Sequence, residues 1–509
     1  MAAIITNILI ISRKPTNNLC TFDRKLAPKR CRFSRNGAAS TTSSQHSNAV
    51  PCDLTPVTRR SGNYKPPFWD FDYIQSLNSK YKEERHLRRA SELKAQVETL
   101  LEATMILLEP KYLIVSRTRM MNLSLFLVKT PTDCYKEKIL DQAREFATIF
   151  LEKNLDQKLI IDQNLSLLVR HALEIPLDWN VPRTNARWFI EAHGKRPDMN
   201  PIVLELAKLD FNIVQAIHQE ELKNVSRIVE DYIWSVGMIE PPEYGYQRVM
   251  FAKLIGLVTT VDDIFDVYGT LEELQLFEEA FQRWDIELID QLPDYMQVCY
   301  LAVYNFINEV AYDVLNDKGG IVIIKYLRKL WTDLTRSYMQ EAKWYHNGHT
   351  PTMDEYINNA LISSGTPAVL THLFFMLRNP IQKEAVDELY KYHDIVRWPS
   401  IITRLVDDIG TSTEEMERGD APKTIQCYMN ETGASYKEAQ EYTMFLVREA
   451  WKKLNEEPIA NSPFSRDFIT CSINMGRMTH YVYLHGDGQG VQHSGIKDRT
   501  TDLLFNPIE

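Results

Sequence analysis

The sequence has few cysteines and glycines and no long apolar run, and each shortage excludes a class of protein. Seven cysteines in 509 residues, with no CxxC pair among them, argue against a disulfide framework and against a zinc site. Only 19 glycines and 23 prolines exclude a collagen-like or linker-dominated chain. No stretch of about 18 apolar residues occurs, so the sequence predicts no membrane-spanning helix. The nucleotide and hydrolase motifs GxGxxG, GxxxxGK[ST], GxSxG and HExxH are also absent.

Acidic residues outnumber basic ones in the whole sequence but not at its start. The 68 Asp and Glu against 58 Lys and Arg argue against nucleic acid as a partner. Residues 1–58, by contrast, hold eight Lys or Arg, two acids and 13 Ser or Thr. This basic, hydroxyl-rich composition is typical of an organelle transit peptide. A tail without any targeting role is the alternative.

The rest of the sequence has the apolar spacing of helices. Leu206, Leu209 and Ile213 follow one another at intervals of three or four residues and mark one face of a long helix. We find no alternating apolar and polar runs bounded by Asn-Gly or Asp-Gly turns. The pattern therefore predicts an all-α fold, and the length is enough for about two or three domains.

The first acidic cluster has the sequence DDIFD at residues 262–266. On a helix, Asp262 and Asp266 would share a face, where two like charges repel each other. That arrangement is favourable if a cation lies between them. A solvated acidic surface is the alternative, but the apolar stretch at residues 254–261 places the cluster more naturally at the rim of a cavity.

A second cluster of oxygen donors lies 145 residues after the first. Asp407, Thr411 and Glu415 stand at i, i+4 and i+8 and would project into one sector of a helix. Two carboxylates and a hydroxyl are hard ligands, which suit Mg²⁺ rather than zinc or copper. Arg404, one helical turn earlier, and Lys423, in the following loop, could bind an anion near the metal. Each could also be an ordinary surface base.

These residues together resemble the motifs of plant class I terpene synthases. Residues 262–266 form a DDxxD motif, and residues 407–415 fit (N/D)Dxx(S/T)xxxE. Arg59 and Arg60, followed by eight residues and then Trp69, match the RRx8W motif that is associated with the monoterpene branch of that family.

The resemblance implies an all-α protein with two helical domains behind a transit peptide. Residues 1–58 would be the transit peptide and would direct the protein to the plastid (chloroplast). Residues 59–180 would form a non-catalytic, α-barrel-like N-terminal domain, and residues 181–509 the catalytic helical bundle. We expect a monomer with no nucleic-acid partner.

The resemblance also implies a metal site. Three Mg²⁺ ions, with Mn²⁺ as an alternative ion, would bind the diphosphate of an isoprenyl substrate. Asp262 and Asp266 would hold two of these ions, and Asp407, Thr411 and Glu415 the third. Asp262 and Asp407 would thereby contact the diphosphate as well.

Further residues would bind the two halves of the substrate. By the same resemblance, Arg404, Arg227 and Lys423 would bind the diphosphate, and Trp234 would be the cavity aromatic that faces the carbocation. Aromatic faces stabilise cations. Phe265 and Tyr268, near the first cluster, are other candidates for this role. Core packing is the alternative role for Trp234, Phe265 and Tyr268.

The sequence departs from the family in two places. The family has an RxR motif after a short connecting segment upstream of DDxxD. Here the segment is missing, Arg227 matches the second arginine, and Val225 stands in place of the first. Residues 102–132 replace a longer, regular helical stretch, so we expect a shortened N-terminal domain.

Three functions follow as hypotheses. The first is a Mg²⁺-dependent synthase that converts geranyl diphosphate to a monoterpene and diphosphate. The second is a sesquiterpene synthase that uses farnesyl diphosphate. The third is a catalytically impaired relative, a helical scaffold or binding protein, because the RxR region is shortened.

Overall fold

A computed structural model describes most of the chain beyond the predicted transit peptide. The described residues are 59–60, 68–107, 138–157, 159–160, 162–176, 179–456, 462–483, 486 and 494–509. Within these ranges the backbone forms helices and no strand, so the all-α prediction is confirmed. The predictions for residues 1–58 and for residues 108–132 of the irregular stretch lie outside the described residues, whereas residues 102–107 end a helix.

The α-helices are numbered along the described chain. They are α1 (Phe71–Ser76), α2 (Glu84–Leu107), α3 (Lys138–Asp156), α4 (Gln163–Glu174), α5 (Pro182–Gly194), α6 (Pro201–Leu222), α7 (Val229–Met238), α8 (Gly245–Asp263), α9 (Leu271–Arg283), α10 (Asp294–Lys318), α11 (Ile324–His346), α12 (Met353–Ser363), α13 (Thr366–Met376), α14 (Lys383–Tyr390), α15 (Asp394–Arg418), α16 (Thr424–Thr432), α17 (Tyr436–Asn455), α18 (Arg466–Tyr483) and α19 (Ser494–Leu504). Short 3₁₀ turns lie at Lys80–Lys82, Lys223–Val225, Pro242–Tyr244 and Ile286–Gln291, and a π-helical turn at Ile264–Tyr268.

Local sequence signals explain where several helices begin and end. Thr270, Thr352 and Ser435 begin α9, α12 and α17, and each forms a reciprocal capping box with a glutamate three residues later. The α15 helix ends at Gly419, whose φ of 70° is a conformation that glycine adopts without strain. The helix that carries the second acidic cluster, α15, therefore has a well-defined end.

One large hydrophobic core extends from Ile74 near the start of the described chain to Ile508 near its end. Within it, α13 packs against both α8 and α15, so one apolar helix connects the helices that carry the two acidic clusters. The α3 and α4 helices form a separate small core around Leu151 and Val169. The predicted domain boundary between residues 180 and 181 stays a prediction. None of the described helices is at once long and apolar enough to cross a bilayer.

A buried ion pair joins α6 to α8. The Arg248 side chain is completely buried, and its Nε and Nη2 atoms donate to the two carboxylate oxygens of Glu221 at 2.7 Å. The Tyr232 hydroxyl donates to the same carboxylate at 2.7 Å. Arg248 also donates to the backbone oxygens of Ile239 and Pro241. A buried charge with this many partners fixes the position of α8 relative to its neighbours.

We expect Glu221→Ala to destabilise the fold strongly. The substitution leaves the Arg248 charge buried without its partner, which costs about 3–5 kcal/mol. Glu84→Ala is the matched control, because it breaks the exposed pair with Arg88, which contributes at most about 0.5 kcal/mol. Urea unfolding measures both changes, and similar losses in the two variants would contradict the role of the buried pair.

Candidate active site

A cavity of about 840 Å³ brings together residues that are far apart in the sequence. Eight of the nine predicted site residues line it: Asp262, Asp266, Asp407, Thr411, Glu415, Arg404, Lys423 and Trp234. The two oxygen-donor clusters thus face one space, with the two cations beside them.

The first cluster spans a change in helix type. Asp262 lies in the last turn of α8, but Asp266 lies in the π-helical turn that follows, closed by a hydrogen bond of 2.9 Å from Gly269 N to the backbone oxygen of Ile264. The sequence predicted a regular α-helix here. Both carboxylates still line the cavity although the hydrogen-bond pattern of the backbone changes between them, and such π turns are frequent at functional sites.

Both carboxylates of the first cluster are held in an environment that disfavours charge. Loss of solvation raises the pKa of Asp262, and the neighbouring Asp266 raises it further. Loss of solvation likewise raises the pKa of Asp266, against the effect of the nearby Lys423 ammonium. Two acids in such a cavity require added positive charge to stay ionised together.

The second cluster lies on one face of α15. The Thr411 hydroxyl donates to the backbone oxygen of Asp407 at 3.0 Å, which leaves its oxygen lone pairs available to a ligand. Glu415 Oε2 is buried without a hydrogen-bond partner among the described residues. Burial, with the charges of Asp407 and Asp408, raises the pKa of Glu415 to about 8. An unpartnered buried carboxylate oxygen is a strong indication that a cation belongs there.

Two cations from the chain itself are paired with these acids. Arg404 Nη1 lies 3.2 Å from Asp407 Oδ2 on the same helix. Lys423 Nζ lies 3.4 Å from Asp266 Oδ2 and 3.1 Å from Glu341 Oε2. Burial by itself would lower the pKa of Lys423. The two carboxylates outweigh that effect and hold the pKa well above its usual value, so the ammonium stays charged.

Arg227 is the predicted site residue that the structure places elsewhere. Its side chain is exposed, and its guanidinium carbon lies 5.3 Å from the ring centroid of Phe71, outside the cavity lining. The reason is local: the chain makes a 3₁₀ turn through Val225 and α7 begins at Val229, so no segment carries Arg227 toward the cavity. We therefore leave Arg227 out of the proposed diphosphate site.

Of the three aromatic candidates, Trp234 alone lines the cavity. It is 5% exposed. Phe265 packs among core rings, with its centroid 5.8 Å from that of Tyr338, and Tyr268 lies on the surface against Tyr295. Further aromatic residues of the lining are Phe68, Phe306, Tyr338 and Tyr483.

The tandem arginines of the RRx8W motif lie beside the first acidic cluster, and Arg60 contacts the cavity lining directly. Arg60 Nη1 donates to the backbone oxygen of Asp266 at 3.1 Å, and Arg60 forms an ion pair with Asp420 in the cavity lining. Arg59 donates to both carboxylate oxygens of Glu273 at 2.7 Å. The two arginines hold this part of the chain over the first acidic cluster.

Sequence reasoning missed the carboxylates that support the two cations. Asp408 lies inside the second motif, but its side chain is buried outside the cavity lining. Glu341 pairs with Lys423 from α11, 82 residues earlier, and no spacing signal connects them. Such partners become visible only in three dimensions.

The donor set fits divalent ions that have substrate phosphates as additional ligands. In the described part of the chain, no three His, Cys, Asp or Glu side chains are arranged to hold a metal ion by themselves. Each cluster offers two carboxylates, Asp262 with Asp266 and Asp407 with Glu415, and the second adds the Thr411 hydroxyl. Mg²⁺ is usually bound in this way, by one or two carboxylates completed by water and phosphate oxygens.

Comparisons with known proteins agree with this geometry. Residues 217–453 match the metal-binding domain of the terpene synthase family. The chain is 42% identical to a (−)-alpha-terpineol synthase from Vitis vinifera, over 89% of this chain and 91% of the relative. It is 41% identical to the chloroplastic cineole synthase 1 from Salvia fruticosa, over the whole length of both proteins. The chain therefore belongs to the terpene synthase family. Within that family, these relatives are plant monoterpene synthases.

Solved structures give the same result for the fold. A limonene synthase in complex with 2-fluorolinalyl diphosphate superimposes with a TM-score of 0.83 at 40% identity, covering 89% of this chain and all of that one. An isoprene synthase from grey poplar, solved with three Mg²⁺ ions and dimethylallyl-S-thiolodiphosphate, gives a TM-score of 0.73 at 39% identity over 77% of this chain and 78% of that one. The fold is thus that of the all-α terpene synthases, and the family is one that depends on divalent metal.

The comparisons also bear on the expected shortening. The alignment with cineole synthase 1 covers all 509 residues of this chain but extends over 608 positions, so 99 positions have no residue here. Internal segments of the relative are therefore missing from this chain, whereas the location of the shortening at residues 102–132 and at the RxR region stays a prediction.

We expect Mg²⁺ together with inorganic diphosphate to stabilise the folded protein. Ligands that bind only the folded state at 100 times their Kd add about 2.7 kcal/mol. Thermal unfolding with and without the two ligands measures the effect, and EDTA should reverse it. Glu415→Gln should lose most of the stabilisation, whereas Glu417→Gln, an exposed position on the same helix, should keep it. Equal stabilisation of both variants would contradict the metal role of Glu415.

Proposed function

We propose that this chain is a Mg²⁺-dependent monoterpene synthase that ionises geranyl diphosphate and releases a monoterpene and diphosphate. The supporting observation is the convergence of two oxygen-donor clusters and two buried cations on one cavity. The similarity to plant monoterpene synthases and to a limonene synthase structure favours the C10 substrate.

The metal ions would be held at the two clusters. By analogy with the isoprene synthase complex that contains three Mg²⁺ ions, we propose three ions, with Asp262 and Asp266 as ligands of two and Asp407, Thr411 and Glu415 as ligands of the third. Mn²⁺ accepts the same oxygen ligands and is proposed as an alternative ion. When bound, such ions supply Lewis-acid neutralisation of the diphosphate leaving group.

The diphosphate also requires direct donors from the protein. Arg404 presents a planar guanidinium to phosphate oxygens, and Lys423 a compact ammonium. Both are buried among acids that keep them charged. Charge that develops on the leaving oxygen is therefore met by donors already in position, which lowers the barrier to breaking the carbon–oxygen bond.

The remaining allylic cation requires a wall that does not react with it. Trp234 presents an aromatic ring to the cavity, and a desolvated cation–π contact contributes about 2 kcal/mol. Apolar side chains of the lining, among them Ile255, Leu257 and Val258, limit the access of water to that part of the cavity.

An impaired activity is the second candidate function. The placement of Arg227 outside the cavity and the 99 unmatched alignment positions favour it. In that case the protein would bind a prenyl diphosphate without turning it over. A sesquiterpene synthase that uses farnesyl diphosphate is the remaining alternative for the substrate.

The chloroplastic label of cineole synthase 1 supports a plastid location, which we propose for this chain together with the transit peptide at residues 1–58. The monomeric state and the lack of a nucleic-acid partner stay predictions.

A substrate panel tests the proposed function. We expect the purified chain with Mg²⁺ to turn over geranyl diphosphate in preference to the C15 and C20 diphosphates, with volatile products identified by gas chromatography. The Asp262→Asn/Asp266→Asn double variant is the control and should lose at least about a hundredfold in kcat/KM, since removal of comparable electrostatic groups costs that much. Preference for the C15 substrate would indicate a sesquiterpene synthase, and binding without turnover an impaired relative.

A substitution series at Trp234 tests its role toward the cation. Trp234→Phe keeps an aromatic face and should retain most of kcat. Trp234→Leu removes the cation–π contact, and about 2 kcal/mol corresponds to a loss of roughly 30-fold in kcat. Thermal unfolding shows whether both variants stay folded at the assay temperature. Equal activity of the two variants would rule out a cation–π contribution.

A further inference from the structure

We propose that Asp408 is a positioning residue that holds both diphosphate-binding cations, Arg404 and Lys423, in place. This inference rests on the proposed function, because it concerns the same site. Asp408 itself is fully buried and does not line the cavity. It therefore acts through its neighbours and not as a metal ligand.

Four donors converge on the Asp408 carboxylate. Arg404 Nη1 lies 3.3 Å from Oδ1. The Tyr356 hydroxyl donates to Oδ2 at 2.8 Å, and Thr424 donates to the same oxygen from its backbone N–H at 3.0 Å and from its hydroxyl. One carboxylate thus links α15 to α12 and to the start of α16.

The first function of this contact is to orient Arg404. Arg404 Nη1 lies close to both Asp407 Oδ2 and Asp408 Oδ1, at 3.2 Å and 3.3 Å. A metal ion at Asp407 would occupy that carboxylate. Asp408 lies outside the cavity lining, so it remains as the ionic partner that keeps the guanidinium directed at the diphosphate.

The second function is to position Lys423. Thr424 is the first residue of α16, and Lys423 immediately precedes it. Both hydrogen bonds from Thr424 to Asp408 fasten this turn to α15. The Lys423 ammonium is then held between Asp266 and Glu341 on the cavity side. Loosening Thr424 would let the ammonium move away from the diphosphate.

The chemistry of the four contacts requires a carboxylate. Arg404, Tyr356 and Thr424 contact Asp408 through four donor groups, and an ionised carboxylate accepts from all of them. An asparagine has one oxygen and one NH₂ group, so its NH₂ must face either Arg404 or the pair Tyr356 and Thr424. Asp408→Asn therefore breaks one side of the network while it keeps the volume of the side chain.

The decisive measurement is Mg²⁺-dependent binding of inorganic diphosphate to the full chain by calorimetry. We expect Asp408→Asn to raise the Kd for diphosphate at least tenfold and to raise KM for geranyl diphosphate in parallel. Thr424→Val, which removes only the hydroxyl donor, should raise the Kd several-fold. This second variant decides the question if Asp408→Asn fails to fold.

Glu221→Gln is the matched control. Glu221 also accepts from an arginine and a tyrosine in the protein interior, but it does not line the cavity. The Glu221→Gln variant should have a lower unfolding temperature, but its Kd for diphosphate should stay within about twofold of the wild-type value. The substitution weakens a buried ion pair away from the cavity, so it reduces stability alone.

The outcomes separate this inference from the proposed function. Wild-type binding by Asp408→Asn, or an equal loss in Glu221→Gln, would overturn the positioning role even if the wild-type chain is an active synthase. A wild-type chain that binds diphosphate without turnover would overturn the synthase function, and the comparison of variants would still test Asp408. A wild-type chain that does not bind diphosphate would overturn both.

Discussion

Concentrating several carboxylates in one cavity is the constraint on which the rest of this structure depends. Asp262, Asp266 and Glu415 all have raised pKa values, because the cavity removes them from water and places other acids close by. Such groups stay ionised together only where positive charge is at hand. The chain supplies Arg404 and Lys423, and the remaining negative charge is what divalent ions would neutralise.

The cations are themselves held by a second set of acids behind the cavity. Glu341 supports Lys423 at 3.1 Å and accepts a hydrogen bond of 3.1 Å from Asn359. Asp408 supports Arg404 in the same way from the other side. Because each supporting carboxylate has its hydrogen bonds satisfied by the protein, the cations can exchange cavity partners without losing their positions. The site is thus prepared for a ligand before one binds.

The motifs allowed most of the site to be predicted, because helical spacing fixes which side chains share a face. Asp407, Thr411 and Glu415 lie together for that reason, and the all-α fold follows from the same periodicity. The π-helical turn at Asp266 and the support from Glu341 depend on tertiary packing, which spacing does not encode. The placement of Arg227 depends on the local 3₁₀ turn between α6 and α7, which the motif does not encode.

The predicted shortening would affect the metal site and the direct binding of diphosphate differently. The helices α8 and α15, which carry the two oxygen-donor clusters, both pack against α13 in the main core, and the clusters converge on one cavity. Val225 stands where the resemblance predicts the first RxR arginine, and its side chain is buried. Losing one charged contact to a buried anion costs about 2–5 kcal/mol. If the proposed function is right, Arg404 and Lys423 would carry more of the direct binding of diphosphate. We therefore expect retention of the leaving group, rather than metal binding, to limit catalysis in this cavity.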